Sequence, residues 1–190
     1  MTWHVVRLED VPATPWRNGG GMTRELAVWP HAADWTWRMS VAEVGQSGPF
    51  SSFEGVDRWF AVLAGRGVQL MVDQQTHHLT AAQHPFFFDG AASTDCKLTD
   101  GATQDFNLMV QRSRASAQMV RVSGNLEVAV DSATNDLKMI AIYVINTGAT
   151  VLFNGEALYL PAASLAWRAV DQPASMRITS SNALWMEITP

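Results

Sequence analysis

The chain has 190 residues, 47% of them hydrophobic, enough for one sizeable core or two small barrels side by side. Charged residues make up only 16%, the formal net charge is -5 and basic residues cluster nowhere, which argues against a nucleic-acid surface or a polybasic membrane patch. The apolar runs, such as Met139–Ile145, are too short to span a bilayer.

The first residues carry His4, Arg7, Glu9 and Asp10 and contain no signal-peptide core. A single cysteine, Cys96, excludes an intrachain disulfide and reads as a small buried hydrophobe. Both features lead us to expect a reducing, cytoplasmic setting. The run Pro15-Trp16-Arg17-Asn18-Gly19-Gly20-Gly21-Met22-Thr23-Arg24-Glu25 is the first unusual segment. Glycine lets a backbone approach another group closely, and Arg17, Asn18, Thr23, Arg24 and Glu25 supply donors and acceptors for an oriented ligand or a buried network. A wide loop or bulge between two strands fits the same glycines. The pattern is neither GxGxxG nor a P-loop, so no nucleotide site follows. Trp16, just before the glycines, suits the wall of a site if its indole N–H finds a partner.

Strand-like runs follow. Over Trp35–Ala42 the alternation predicts Trp35, Trp37, Met39 and Val41 on one face and Thr36, Arg38, Ser40 and Ala42 on the other. Arg58–Ala64 and Val68–Val72, broken at Gly65-Arg66-Gly67, read as a hairpin. His84–Phe88 and Lys97–Thr99 are short strands. In Asp105–Val110, Asp105, Asn107 and Met109 share a face opposite Phe106, Leu108 and Val110. A polar stretch at Arg112–Ala117 reads as a crossover. Beyond it come Met139–Asn146, a hairpin signal at Asn154-Gly155 after Val151–Phe153, then Leu158–Leu160, Ser164–Trp167, Met176–Ile178 and Leu184–Ile188. Many short strands in two similar series predict an all-β chain of two barrels.

The candidate chemistry is polar and metal-free. A strand–Gly–strand–PFxF–Gly rhythm is similar to that of cupin barrels, but Arg58 falls in the region where a metal cupin carries its first histidines. His77 and His78 are adjacent and would face opposite sides of a strand, while His4, His31 and His84 stand alone. No metal and no cofactor is therefore expected. Arg38 faces either bulk water or a polar cavity; Arg24 and Arg58 also lie beside apolar neighbours. Arginines converging on one cavity would take a carboxylate bidentately, although each alone also fits a snorkelling surface residue. Asn107 can donate and accept at once, or face water on an edge strand. Glu25 and Glu43 are the candidate bases of a catalytic alternative.

Trp16-Arg17-Asn18-Gly19-Gly20-Gly21, Thr23-Arg24-Glu25, Trp37-Arg38-x-Ser40, Gly48-Pro49-Phe50-Ser51-x-Phe53-x-Gly55-Val56-Asp57-Arg58, Pro85-Phe86-x-Phe88-x-Gly90 and Asp105-Phe106-Asn107-Leu108-Met109 form an ordered series that resembles the HutD/Ves family. The resemblance implies a bicupin, two double-stranded β-helix (jelly-roll) barrels in one chain. These are placed at 1–112, with the ligand pocket, and 113–190, with strands exchanged so that the halves act as one unit. It implies a cytoplasmic, metal-independent protein that binds a small acidic metabolite such as N-formylglutamate or urocanate and governs histidine utilisation. A Ves-like stress protein, or a metal-free isomerase, epimerase or hydrolase using Glu25 or Glu43, is the alternative. Combining the residues with the resemblance, Arg24, Arg38 and Arg58 would take carboxylates and Asn18 and Asn107 an amide or formyl group. Phe60 and Phe88 would form apolar walls, with Trp16, Arg17, Gly19, Gly20, Gly21, Thr23, Glu25 and Ser40 completing the site. An open sheet edge would also allow a homodimer.

Overall fold

A computed structural model describes residues 2–131 and 137–190. The described residues form seventeen strands and a single 3₁₀ turn, Leu8–Asp10. In chain order the strands are β1 His4–Arg7, β2 Thr14–Pro15, β3 Gly21–Trp29, β4 Trp37–Val44, β5 Gly48–Pro49 and β6 Val56–Ala64. Next are β7 Val68–Val72, β8 Gln75–Leu79, β9 Phe86–Asp89, β10 Thr94–Leu98, β11 Thr103–Gln111 and β12 Ser116–Val130. Last come β13 Lys138–Val144, β14 Ala149–Phe153, β15 Glu156–Leu160, β16 Ser164–Val170 and β17 Ala174–Thr189.

They belong to two compact units, one formed by Val11–Ala115 and the other by the segment ending at Asp10 together with Ser116–Pro190. The opening segment therefore does not join the N-terminal barrel as the boundary at 112 assumes. β1 instead pairs antiparallel with β16, Val5 opposite Ala166, and backbone hydrogen bonding of this kind between distant segments leaves little local trace.

In the N-terminal unit a six-stranded sheet runs β2-β3-β4-β11-β6-β9 and a four-stranded sheet runs β5-β10-β7-β8. An apolar core joins Phe60 and Val62 of β6, Phe88 of β9, Val68 and Leu70 of β7, Leu79 of β8 and Cys96 of β10. On β4 the expected alternation holds from Trp37 onward, with Trp37, Met39 and Val41 buried. Trp35 departs from it. It precedes the strand, and its ring lies 5.1 Å from the Arg38 guanidinium. β8 escapes a sequence reading because the β7–β8 turn uses Asp73 and Gln74 at positive φ (44° and 70°), without the glycine that usually marks such a turn.

In the C-terminal unit the sheet order is β1-β16-β13-β17-β14-β15, with β12 also on β17. β17 is one 16-residue strand where the sequence suggests two. Its first half pairs with β14 and its second with β13, and a register shift between Val122 and Gly124 of β12 bends the ribbon between the two halves. The polar crossover ends at Ala115, and the residues from Ser116 open the long β12. The core collects Ile140, Ile142 and Val144 of β13, Val151 of β14, Leu160 of β15 and Ile178 of β17.

The loop from Gly48 to Val56 is fixed by backbone bonds: Phe50 N to Thr94 O at 2.9 Å, Phe53 N to Gly90 O at 2.7 Å and Arg112 N to Gly55 O at 2.9 Å. A Cβ on Gly90 would lie 2.7 Å from Val56 O and 2.8 Å from Phe53 O, both main-chain atoms that cannot step aside. Gly90→Ala is expected to cost about 2–4 kcal/mol in chemical denaturation by forcing this loop outward. Gly48→Ala, where a Cβ meets open space, should stay within about 0.5 kcal/mol of the parent.

Candidate functional site

A cavity of about 450 Å³ opens within the N-terminal unit. Its floor is the inner face of the six-stranded sheet, and the register sets out that face in rungs. Arg38 of β4, Met109 of β11 and Arg58 of β6 lie opposite one another on the first; Ser40, Asn107 and Phe60 form the second; Ala42, Asp105 and Val62 form the third, whose Asp105 and Val62 lie outside the cavity lining. Because β11 is flanked by β4 and β6, Asn107 is on a central strand, where its side chain meets the cavity. The Gly48–Val56 loop covers the floor with Phe50, Ser51 and Phe53, and the segment before the glycines adds Trp16, Arg17 and Asn18.

Arg58 is the electrostatic centre. It is 7% exposed, and among the described residues no carboxylate comes within ion-pair distance of it. One of its NH₂ groups donates to Asn107 Oδ1 at 3.2 Å, the other makes a long contact with Ser51 O at 3.5 Å, and Nε has no partner. Its guanidinium lies 5.4, 5.7 and 4.9 Å from the rings of Phe50, Phe53 and Phe88. Burial first, and then the charge of Arg38, push its pKa down to about 10. Arg38 is held by Met109 Sδ (Nε to Sδ 3.3 Å), lies 5.3 Å from the Phe53 ring and reaches Glu25 at the rim only at 3.9 Å.

The glycine triplet shapes the wall without lining the cavity. Gly19 N bonds Trp16 O at 3.0 Å, Trp16 N bonds Gly21 O at 2.9 Å, and Gly20 N bonds Asn18 Oδ1 at 3.0 Å, closing the turn between β2 and β3. At Gly21 a Cβ would run into Glu43 O and lie 3.2 Å from the Trp16 ring, so the indole packs where a side chain would stand. The Trp16 N–H donates to Thr23 Oγ1 at 2.8 Å.

Of the residues expected at the site, Trp16, Arg17, Asn18, Thr23, Arg38, Ser40, Arg58, Phe60 and Asn107 line the cavity. Gly19, Gly20 and Gly21 form the turn behind it, and Phe88 backs Arg58 from the core. Arg24 is a correction: strand alternation turns it away from the side of Thr23, and it donates to Val11 O at 2.6 Å beside Glu43 at 3.8 Å. Glu43 leaves the cavity for the same reason, since Ala42 and Val44 take the lining positions on either side of it; Glu25 stays at the rim. Phe50, Ser51, Phe53 and Met109 were missed as site residues. Gly48-Pro49-Phe50-Ser51-x-Phe53 was legible as a motif, but its role depends on a loop closure that only distant backbone bonds create. Among the described residues no cluster of His, Cys, Asp or Glu could hold a metal ion.

The HutD family profile matches residues 8–186. The chain belongs to the HutD family. It is 35% identical over 132 residues to an uncharacterised 21.2 kDa protein in the hutC 3′ region of Pseudomonas putida, a match spanning 68% of this chain and 70% of that protein. It is 38% identical over 117 residues to protein Ves of Cronobacter sakazakii, spanning 61% and 64%. The structure of HutD from Pseudomonas fluorescens SBW25, solved in a formate condition, superposes with a TM-score of 0.86 at 28% identity, covering 99% of this chain and 98% of that one. A salicylate 1,2-dioxygenase from Pseudoaminobacter salicylatoxidans shares the fold alone, with a TM-score of 0.61 at 9% identity over 99% of this chain and 81% of that one. This HutD-family chain is thus an all-β bicupin.

Asp105, on the third rung, is 0% exposed. Its Oδ2 accepts from Thr103 Oγ1 at 2.8 Å and its Oδ1 has no partner. Burial outweighs that bond and pushes its pKa up to about 7. A carboxyl whose folded pKa lies above its unfolded value binds more protons folded than unfolded across the interval between them. Its contribution to stability is therefore complete below about pH 4 and is lost as pH rises toward 7. Denaturation between pH 4 and 8 should show Asp105→Asn losing a component of this slope worth up to about 4 kcal/mol. An unchanged slope would show that Asp105 ionises normally.

Proposed function

We propose that this HutD-family chain is a metal-independent binding protein for a small acidic metabolite, acting as a regulator of histidine utilisation. One observation carries the reading: a buried guanidinium, Arg58, faces a cavity with no carboxylate among the described residues within ion-pair distance to balance it. Leaving a desolvated charge unpaired is costly, and an entering carboxylate removes that cost while taking N–H groups in the fork geometry that arginine offers. Arg38, across Met109 on the same rung, supplies a second fork.

The rest of the lining suits an acid with a polar second end. Phe60, Phe53 and Trp16 offer apolar and aromatic surface for a short carbon chain, while Ser40, Asn107, Thr23 and Asn18 can serve an amide or formyl group. N-formylglutamate and urocanate both fit these requirements, and formate, the smallest carboxylate, names the condition in which the P. fluorescens HutD structure was obtained. The association of one relative with the hutC region is the ground for placing the role in histidine utilisation.

Calorimetric titration with N-formyl-L-glutamate and urocanate, with a chelator present, tests this. Saturable binding is expected, and a ligand at about a hundred times its Kd should add about 2.7 kcal/mol of stability. Arg38→Ala should weaken binding at least tenfold with little change in Tm, because Arg38 is partly exposed and its carboxylate contact is long. Arg58→Lys, which keeps the charge and loses the fork, should also weaken it at least tenfold. Parental affinity in both variants would place the binding elsewhere.

A further inference from the structure

The third rung of the floor holds a carboxyl group that the binding reading does not use. Asp105 lies two residues along β11 from Asn107, about 7 Å at the rise of a strand, with its side chain on the same face. The side chains across the rung, those of Ala42 and Val62, are aliphatic and carry no donor. Thr103 satisfies one oxygen, and the other is buried without a partner. From β10 the group facing it is Cys96, whose thiol is itself pushed up to about 12 by burial and by the charges of Asp105 and Asp95. β7 contributes Val68 and Leu70, and β9 Phe88, to the same core. The cations on this face, Arg58 of β6 and Arg38 of β4, stand two rungs away, and the acid on β3, Glu25, is at the rim beside Arg38. An ionised carboxylate so placed would be desolvated with one hydrogen bond, whereas the neutral acid turns its orphan oxygen into a donor.

We propose that Asp105 is kept as the neutral acid beneath the cavity, and that its ionisation weakens the hold of Arg58 and Arg38 on an acidic ligand, making affinity fall as pH rises. The proposal rests on the acid-binding reading above. Its physical basis is charge balance across three rungs. While Asp105 is neutral the floor carries one guanidinium, Arg58, with no carboxylate of the described residues in ion-pair reach, and a second, Arg38, with only the 3.9 Å contact to Glu25. Once Asp105 ionises, a buried negative charge stands two rungs, about 13 Å, from a carboxylate held by Arg58 and Arg38, a repulsion that corresponds to about tenfold in affinity at an effective dielectric near 20. The raised pKa of about 7 places this change near neutrality. By reciprocity, a bound acid makes Asp105 hold its proton more tightly, so binding near neutral pH takes up a fraction of a proton.

Titration calorimetry with N-formyl-L-glutamate and with formate, from pH 6.0 to 8.5 and in two buffers of different ionisation enthalpy, reads both quantities. The probes' own carboxylates remain ionised over this range. The parent is expected to lose about tenfold in affinity from pH 6.0 to 8.5 and to take up protons near pH 7. Asp105→Asn should bind with a flat profile and no uptake. A flat parent profile, or the same slope in Asp105→Asn, overturns the proposal and leaves the binding reading standing. If neither acid binds at any pH, and urocanate does not bind either, the binding reading falls and the proposal with it. Should Asp105→Asn not fold, proton uptake by the parent decides: none between pH 6 and 8 overturns the proposal.

Discussion

A buried guanidinium, Arg58, with no counter-ion among the described residues is the constraint on which the N-terminal unit is built. Arg58 sits on β6, next to the central strand of the cavity floor, and is surrounded by rings and carbonyl-type oxygens where an ordinary buried arginine would meet a carboxylate. Ring faces stabilise a cation without neutralising it, so the positive charge survives burial and remains available to something that enters. A protein group able to cancel it would have stabilised the fold and closed the site.

The features around Arg58 follow from holding that charge in place. Asn107 presents its carbonyl oxygen to the guanidinium because β11 and β6 pair in register, and the same register brings Arg38 onto the rung of Arg58. The loop that brings Phe50 and Phe53 over the cavity is tied down by backbone bonds to Gly90, Thr94 and Arg112, so the aromatic cover is part of the scaffold. Trp16, edge to face with Phe50, is held by its bond to Thr23 and by the empty Cβ position of Gly21, which gives the glycine run a structural purpose.

The floor is therefore graded. Two arginines flank a methionine on the first rung, Ser40 and Phe60 flank Asn107 on the second, and a buried carboxyl occupies the third. Stability alone would favour pairing the carboxyl with one of the arginines; the sheet register keeps them apart. Unpaired buried charges are expected where function competes with stability, and here the unpartnered atoms of Arg58 and Asp105 share one face of one unit.

Much of this could be read along the chain. Alternation on β4 and β11 put Arg38 with Ser40, and Asp105 with Asn107 and Met109, on polar faces, because the two-residue period of a strand is a local property. Turn chemistry marked the hairpin at Asn154-Gly155, where both φ values are positive, and missed the one at Asp73-Gln74, where ordinary side chains carry the same geometry. The order of the unusual segments was enough to indicate the family. What the chain alone left open was which polar faces converge. Arg24 looked equivalent to Arg38 and Arg58, yet it sits on the other side of its strand because the phase of β3 is set by pairing with β4. Ligand-facing glycines proved to be a turn, and Phe50 and Phe53 became cavity residues only through hydrogen bonds to Gly90 and Thr94, some 40 positions away. Composition and periodicity thus determined the elements and their chemistry. The convergence of Arg38, Arg58 and Asn107, and the isolation of Asp105 beneath them, were decided by strand register and loop closure, which depend on contacts between segments far apart in sequence.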